Sequence, residues 1–316
     1  MREVAKGHRH SELRVSDCSF NFQCSSRSGG LKIPNATPCQ EGCARYAAPD
    51  KFHHRYPMTR SPNHPIPLWS EPPENFSLAV DQVHIWRASL MQSEAVIARC
   101  REMLPADELA RADRFHFDRD RRRFAVSHAM VRQVLARYLT LGPQELRFVL
   151  GPKGKPEIAP EWNSLSLRFN LSHSGEFALM GVSLNLTMGI DIEEIRPDFG
   201  TQEIAERFFS PYEVGTLISL PQHQRVEAFF YCWTRKEAYI KAQGEGLSLA
   251  LDSFDVTFAP GAAPALLRVA EDPKEVARWK LYNIDSGPGY KAALMIEGKQ
   301  HYLQYFNWQV PSPNLR

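Results

Sequence analysis

The amino-acid sequence predicts an α+β fold of two similarly sized lobes, each with one long helix packed on an antiparallel sheet. Two observations carry that prediction. The first is a pair of long helical stretches, 118–140 and 229–241, set far apart in the chain. The second is the order of the shorter elements: strand, helices, strands in the first half, then helices and strands in the second. The lobes are expected to span 76–190 and 191–310. Similarity between the halves is too faint to define a repeat.

At 316 residues the chain can bury a large core. Its 43% hydrophobic and 23% charged content is that of an ordinary soluble protein. A net charge of +2 gives little support to non-specific nucleic-acid binding. No apolar run approaches the length of a membrane span, and the N-terminus lacks the apolar core of a secretory signal. The expected location is therefore the cytoplasm.

Residues 1 to about 70 are polar, basic and aperiodic, so disorder is expected there. Translation starting at Met58 would account for most of the segment equally well. Four of the six cysteines (Cys18, Cys24, Cys39 and Cys43) fall in it without a CxxC pair. That pattern favours unstructured thiols in a reducing compartment over a zinc site.

Order is expected from near Leu78, with a strand over 78–86 and short helices over 91–100 and 106–114. Phe124, Val131, Val134, Leu135 and Tyr138 form the apolar stripe of the helix over 118–140, which Gly142-Pro143 stops. Strands follow at 146–150, 165–171, 177–182 and 188–193, with Ser172-His173-Ser174-Gly175 read as a turn. A helix over 202–208 precedes one started by Ser210, with Glu213 at capping-box spacing. Runs at 254–258, 279–284, 290–296 and 302–308 read as strands of a second sheet.

Chemistry concentrates at a few places along this frame. Val226, Phe229, Phe230, Trp233 and Ile240 share one helical face, and Glu237 falls on the same apolar stripe. A carboxylate there needs a cation, a metal or a proton to offset its lost hydration. Lys241, one turn on, offers the simplest partner, an i,i+4 pair worth about 0.2–0.5 kcal/mol. On the strand over 188–193, Asp191 and Glu193 share one face while Ile190 and Ile192 take the other. Neighbouring carboxylates repel unless a cation lies between them, so this is either an exposed acidic strand end or a metal site. Arg119, Arg121, Arg122 and Arg123 make either a solvated basic face or a phosphate cluster. The stiff loop over 151–156 offers Lys155 to a ligand or to water. Ser172, His173 and Ser174 supply hydroxyls and an imidazole for an anion pocket, unless the histidine is structural.

Three motifs therefore stand in fixed order: Gly154-Lys155-Pro156, then Phe169-Asn170-Leu171-Ser172-His173-Ser174 with Gly189-Ile190-Asp191-Ile192-Glu193, then Trp233-Thr234-Arg235-Lys236-Glu237-Ala238-Tyr239-Ile240-Lys241. The combination resembles the 4′-phosphopantetheinyl transferase superfamily, in its two-lobed Sfp-like class. The resemblance runs from about Phe76 to about Trp308 and implies two similar lobes in a pseudo-two-fold arrangement. It also implies transfer of the phosphopantetheine arm of coenzyme A to a serine of an acyl or peptidyl carrier protein, releasing adenosine 3′,5′-bisphosphate.

By the same resemblance, Asp191, Glu193 and Glu237 match the carboxylates that hold Mg²⁺ against the pyrophosphate. Lys241 matches the lysine at that pyrophosphate. Glu237, directly or through a water, is the candidate base for the carrier serine, with a water on the metal as the alternative. His173 and Arg123 match the 3′-phosphate contacts, Lys155 lies beside the nucleotide, and Ser172 joins this coenzyme-binding set. Arg111 stands where some relatives carry lysine, and Lys236 matches a motif position without an evident task. A monomer is implied, since each lobe supplies half of the site. Three other readings are a carrier-binding module without catalysis, a nucleic-acid binder using Arg119 to Arg123, and another Mg²⁺-dependent phosphate-ester enzyme.

Overall fold

The computed structural model describes residues 69–310 apart from 75–76, 152–153 and 245–248. The expected N-terminal disorder, the start at Met58 and the four early cysteines lie outside the described residues.

Strand β1 (Gln82–Ser89) divides its side chains between two different cores. Trp86 and Ala88 join one core, and Val83 and Ile85 join the other, so both faces of its sheet are covered. That sheet has the order β11–β1–β5–β4. Here β4 is Leu167–Ser174, β5 is Phe177–Leu184 and β11 is Tyr302–Asn307. On its outer face lies α3 (Asp118–Leu139), backed by α1 (Glu94–Glu102) and α2 (Ala106–Asp113). Met130 and Val134 of α3 meet Trp86, Leu171 and Met180 there.

On the inner face, Val83, Ile85 and Leu179 pack against a second sheet of order β6–β10–β9. Its strands are β6 (Met188–Glu194), β10 (Tyr290–Glu297) and β9 (Trp279–Asn283), all antiparallel. Met188, Ile190 and Ile192 face the first sheet. The far side is covered by α6 (Gln222–Gln243), whose Phe229, Phe230, Trp233 and Tyr239 are buried with Leu281 and Met295. The layers thus run helix, sheet, sheet, helix. Each lobe places a 22-residue helix on the outside of its sheet, the α+β build that the sequence predicts.

Several expectations are corrected. The four late strands do not form one sheet. Among the described residues β7 (Phe254–Val256) pairs with β8 (Leu266–Val269) in a sheet of two, while β9 and β10 join β6. β11 crosses back to lie parallel to β1, which leaves the first sheet not wholly antiparallel. Its Phe306 packs on Trp86, with ring centroids 4.9 Å apart, so the last strand completes the first core. Residues 190 and 191 both lie within β6, which covers the first sheet with its isoleucines and faces α6 with its other side.

Order also begins before Leu78. Ser70 bridges the free edge of β11, donating to Tyr305 O and accepting from Asn307 N, and Trp69 Nε1 donates to Asp285 O. An otherwise open sheet edge is thereby capped. Ser172, His173 and Ser174 lie in β4 and not in a turn. Gly175 and Glu176 alone make the reversal. Gly175 sits at φ +55°, and a Cβ there would stand 2.4 Å from the Tyr290 hydroxyl.

The capping box forms as the sequence predicts, Ser210 and Glu213 opening α5 (Pro211–Ser219) after α4 (Thr201–Phe208). Two short strands, β2 (Phe148–Leu150) and β3 (Pro156–Ile158), flank the lysine loop, and a single turn, α7 (Glu275–Arg278), precedes β9.

The closest approach between β6 and α6 is made at Gly189. A Cβ there would lie 2.1 Å from Ala238 O and 2.3 Å from Ala242 N, so no other residue fits without moving the helix backbone. Gly189→Ala is expected to lower stability by about 1–3 kcal/mol or more through overpacking. Urea unfolding followed by far-UV circular dichroism measures this, and an unchanged midpoint would contradict the close approach.

Candidate active site

Because Gly189 admits the helix, the face of β6 that carries Asp191 and Glu193 is pressed against α6. Both carboxylates are buried, and Glu237 of α6 is half-buried nearby. Lys241 reaches across from α6 to Asp191 Oδ1 at 2.6 Å and also donates to Ser172 Oγ at 2.9 Å. The Ser172 hydroxyl donates to Asp191 Oδ1 at 2.9 Å, and the Ser174 hydroxyl to Glu193 Oε2 at 2.8 Å. Asp191 Oδ2 is buried with no hydrogen-bond partner.

Burial pushes Asp191 up despite the opposing charge of Lys241. Burial and the charge of Asp191 raise Glu193 to about 8. The same two causes raise Glu237 to about 7, and no hydrogen bond among the described residues relieves it. Three carboxylates thus share a desolvated region with one ammonium between them. Among the described residues no group of three or more His, Cys, Asp or Glu side chains is already gathered as a metal cage. The donor set nevertheless suits a hard divalent cation: three carboxylates, one with an orphaned oxygen, whose mutual repulsion a cation would relieve.

Lys155 donates to Met188 O at 2.5 Å and to Lys241 O at 3.1 Å, tying the start of β6 to the end of α6. His173 alternates with the two serines along β4. Burial and the charges of Lys241, His128 and Arg123 pull it down to about 4. Arg123 Nε is a buried donor with no partner, and Arg111 stacks on Phe124 at 5.3 Å. His173, Arg123 and Lys241 therefore lie close enough to sense one another's charge beside the carboxylates.

Lys236 acquires a structural task. It is fully buried, pairs with Glu213 at 2.7 Å and donates to Leu251 O and Phe254 O, joining α6 to α5 and β7. Arg119, Arg121 and Arg122 hold acids of their own side: Asp120, Asp118, and Asp118 with Glu94.

Sequence reasoning missed a second buried network behind the arginines. Arg132 grips Glu108 with two bonds of 2.9 Å and donates to Pro143 O and Leu146 O. His128 Nδ1 lies 3.1 Å from Glu108 Oε2, with its ring stacked on Phe124 at 3.7 Å. A carboxylate only accepts, so Nδ1 carries the proton. Burial alone would push Glu108 up, but the bonds from His128 and Arg132 prevail and hold it at about 2. A charged residue inside an apolar helical stripe, as Arg132 is, was the available signal.

A family model described as the 4′-phosphopantetheinyl transferase superfamily matches residues 187–295, and one for the N-terminal part of 4′-phosphopantetheinyl transferases matches 85–184. The chain is 36% identical over 241 residues to the 4′-phosphopantetheinyl transferase HetI of a Nostoc species, covering 76% of this chain and 95% of that protein. It is 35% identical over 182 residues to the 4′-phosphopantetheinyl transferase Sfp of Bacillus subtilis, covering 57% of this chain and 76% of that one. This chain belongs to the 4′-phosphopantetheinyl transferase superfamily, in its Sfp-like class, and is a transferase of that kind.

The Glu108 network makes a stability prediction. A carboxyl held below its ordinary value contributes stability that is present above about pH 4.5 and is lost as the pH falls toward 2. For a group this buried the contribution is about 3 kcal/mol. Glu108→Gln is expected to be destabilised by at least that amount at pH 7 and much less so near pH 2.5. Chemical denaturation across that range tests it, and an equal penalty at both ends would refute the assignment.

Proposed function

We propose that this enzyme moves the 4′-phosphopantetheine arm of coenzyme A to a serine of an acyl or peptidyl carrier protein with Mg²⁺, releasing adenosine 3′,5′-bisphosphate. The observation that carries the reading is the acidic face of β6 held against Glu237 and Lys241 of α6. Asp191, Glu193 and Glu237 would hold the cation, whose contribution when bound is to neutralise pyrophosphate charge and orient the phosphorus under attack.

The chain's own residues supply the rest. Lys241 balances Asp191 in the free enzyme and is the ammonium available to the departing phosphate oxygen. Glu237, directly or through a water, is assigned the proton of the carrier serine; ligation of a cation lowers a carboxylate's basicity, so a water on the cation is the alternative base. Arg123 and Arg111 are the cations assigned to the 3′-phosphate, with guanidinium forks suited to phosphate oxygens, and His173, neutral near pH 7, is assigned there as a hydrogen-bonding imidazole. Ser172 and Lys155 are assigned to the coenzyme side of the same site. In the free protein both are engaged with the β6–α6 junction, which keeps that side in register. A monomer suffices, because one chain carries the whole set. No helix among the described residues is long and apolar enough to cross a membrane.

Incubation with Mg²⁺, coenzyme A and an apo carrier domain, followed by intact-mass measurement of the carrier, tests the reading. A gain equal to one phosphopantetheine arm is expected, and no gain with any of several carrier types would overturn it. Glu237→Gln is expected to cut turnover by at least about 100-fold, the scale of a lost general base. Near-normal turnover in a folded variant would remove that role.

A further inference from the structure

β4 and β6 are the facing edges of two different sheets, and no backbone ladder joins them among the described residues. Side chains take the place of that ladder. Asn170 Oδ1 accepts from Ile190 N at 2.8 Å, Ser172 Oγ from Ile192 N at 3.4 Å, and Ser174 Oγ from Glu194 N at 3.1 Å. The three acceptors are alternate residues of β4 and the three donors are alternate residues of β6, with a constant offset of 20 along the chain. The strands therefore run parallel, one side chain apart.

The same oxygens also reach the acids. After accepting a backbone N–H, Ser172 donates its proton to Asp191 and Ser174 donates its own to Glu193. Each serine thus links strand to carboxylate, accepting from the β6 backbone and donating to an acid; Ser172 shares its acceptor side with Lys241, while Ser174 does not. A free Glu side chain has three rotatable bonds, so a single strong anchor removes much of its freedom.

We propose that Asn170, Ser172 and Ser174 are positioning residues that replace the missing strand ladder and so fix where Asp191 and Glu193 present their oxygens to a cation. The part concerning the cation rests on the reading under Proposed function, while the ladder itself does not. Ser174 is the cleanest member to test, since its recorded partners are the Glu194 amide and the Glu193 carboxylate. Hydrogen-bond partners of metal-ligating carboxylates typically carry a 10–100-fold effect on metal affinity.

The test compares the wild type with Ser174→Ala and Ser174→Thr in two measurements. In the first, Mn²⁺ binding is titrated by electron paramagnetic resonance with coenzyme A present and no carrier. Ser174→Ala is expected to bind Mn²⁺ about 10–100-fold more weakly, and Ser174→Thr, which keeps the hydroxyl, close to wild type. Wild-type affinity in folded Ser174→Ala would overturn the positioning role. In the second, amide hydrogen exchange is followed by NMR. The Glu194 amide is expected to exchange about tenfold faster in Ser174→Ala, while that of Ile190 is unchanged. Equal Glu194 exchange would overturn the ladder. Failure of the wild type itself to bind Mn²⁺ would strike the metal reading, leaving the exchange result to judge the ladder alone. Should Ser174→Ala not fold, Ser174→Cys, with its weak donor and acceptor, is expected to shift both readouts in the same direction.

Discussion

The site depends on one steric fact: the backbone of α6 passes where a side chain on Gly189 would have to be. A helix normally stands off a sheet by the depth of its side chains. Here the residue type removes that spacer at a single point, and Lys155 secures the contact through the carbonyls of Met188 and Lys241. Everything chemical follows from the closeness. Asp191 and Glu193 are two and four residues along the same face of β6, while Glu237 and Lys241 flank the approaching turn of α6. A looser junction would let water between the acids and leave them as ordinary surface carboxylates.

Closeness has an electrostatic cost, and the arrangement shows how it is contained. Burial raises all three carboxyls, the charge of Asp191 raises Glu193 and Glu237 further, and Lys241 is the ammonium set among them. A divalent cation would relieve the repulsion within such a group. Glu213 and Glu108 are just as buried, yet each is fully matched, by Lys236 and by Arg132 with His128. The contrast between matched and unmatched buried acids separates scaffold from site within one molecule.

Much of this was legible because the signals are local. The apolar stripe of α6 with Glu237 on it, the alternation of β6 and the capping box at Ser210 each occupy a few consecutive residues and survive into the structure. Ser172-His173-Ser174 reads as a turn in the sequence because small polar residues are turn formers. Their value as a period-2 row appears only once an acceptor-seeking strand edge lies beside them. The return of β11 to β1 had no local signal, since it joins residues about 220 apart in the chain. The loop offers Lys155 to a ligand or to water by sequence alone, whereas its ammonium is turned in toward two carbonyls that only the packed junction brings together.

The central claim is that β6 and α6 together form a cation site, and its most direct test is to locate the cation. Crystals grown with Mn²⁺ and coenzyme A give an anomalous-difference map in which the metal stands out from every other atom. The account predicts a single strong peak at bonding distance from Asp191, Glu193 and Glu237, with Lys241 turned from Asp191 toward the pyrophosphate. A peak held by phosphate oxygens alone, with Lys241 still paired to Asp191, would contradict it.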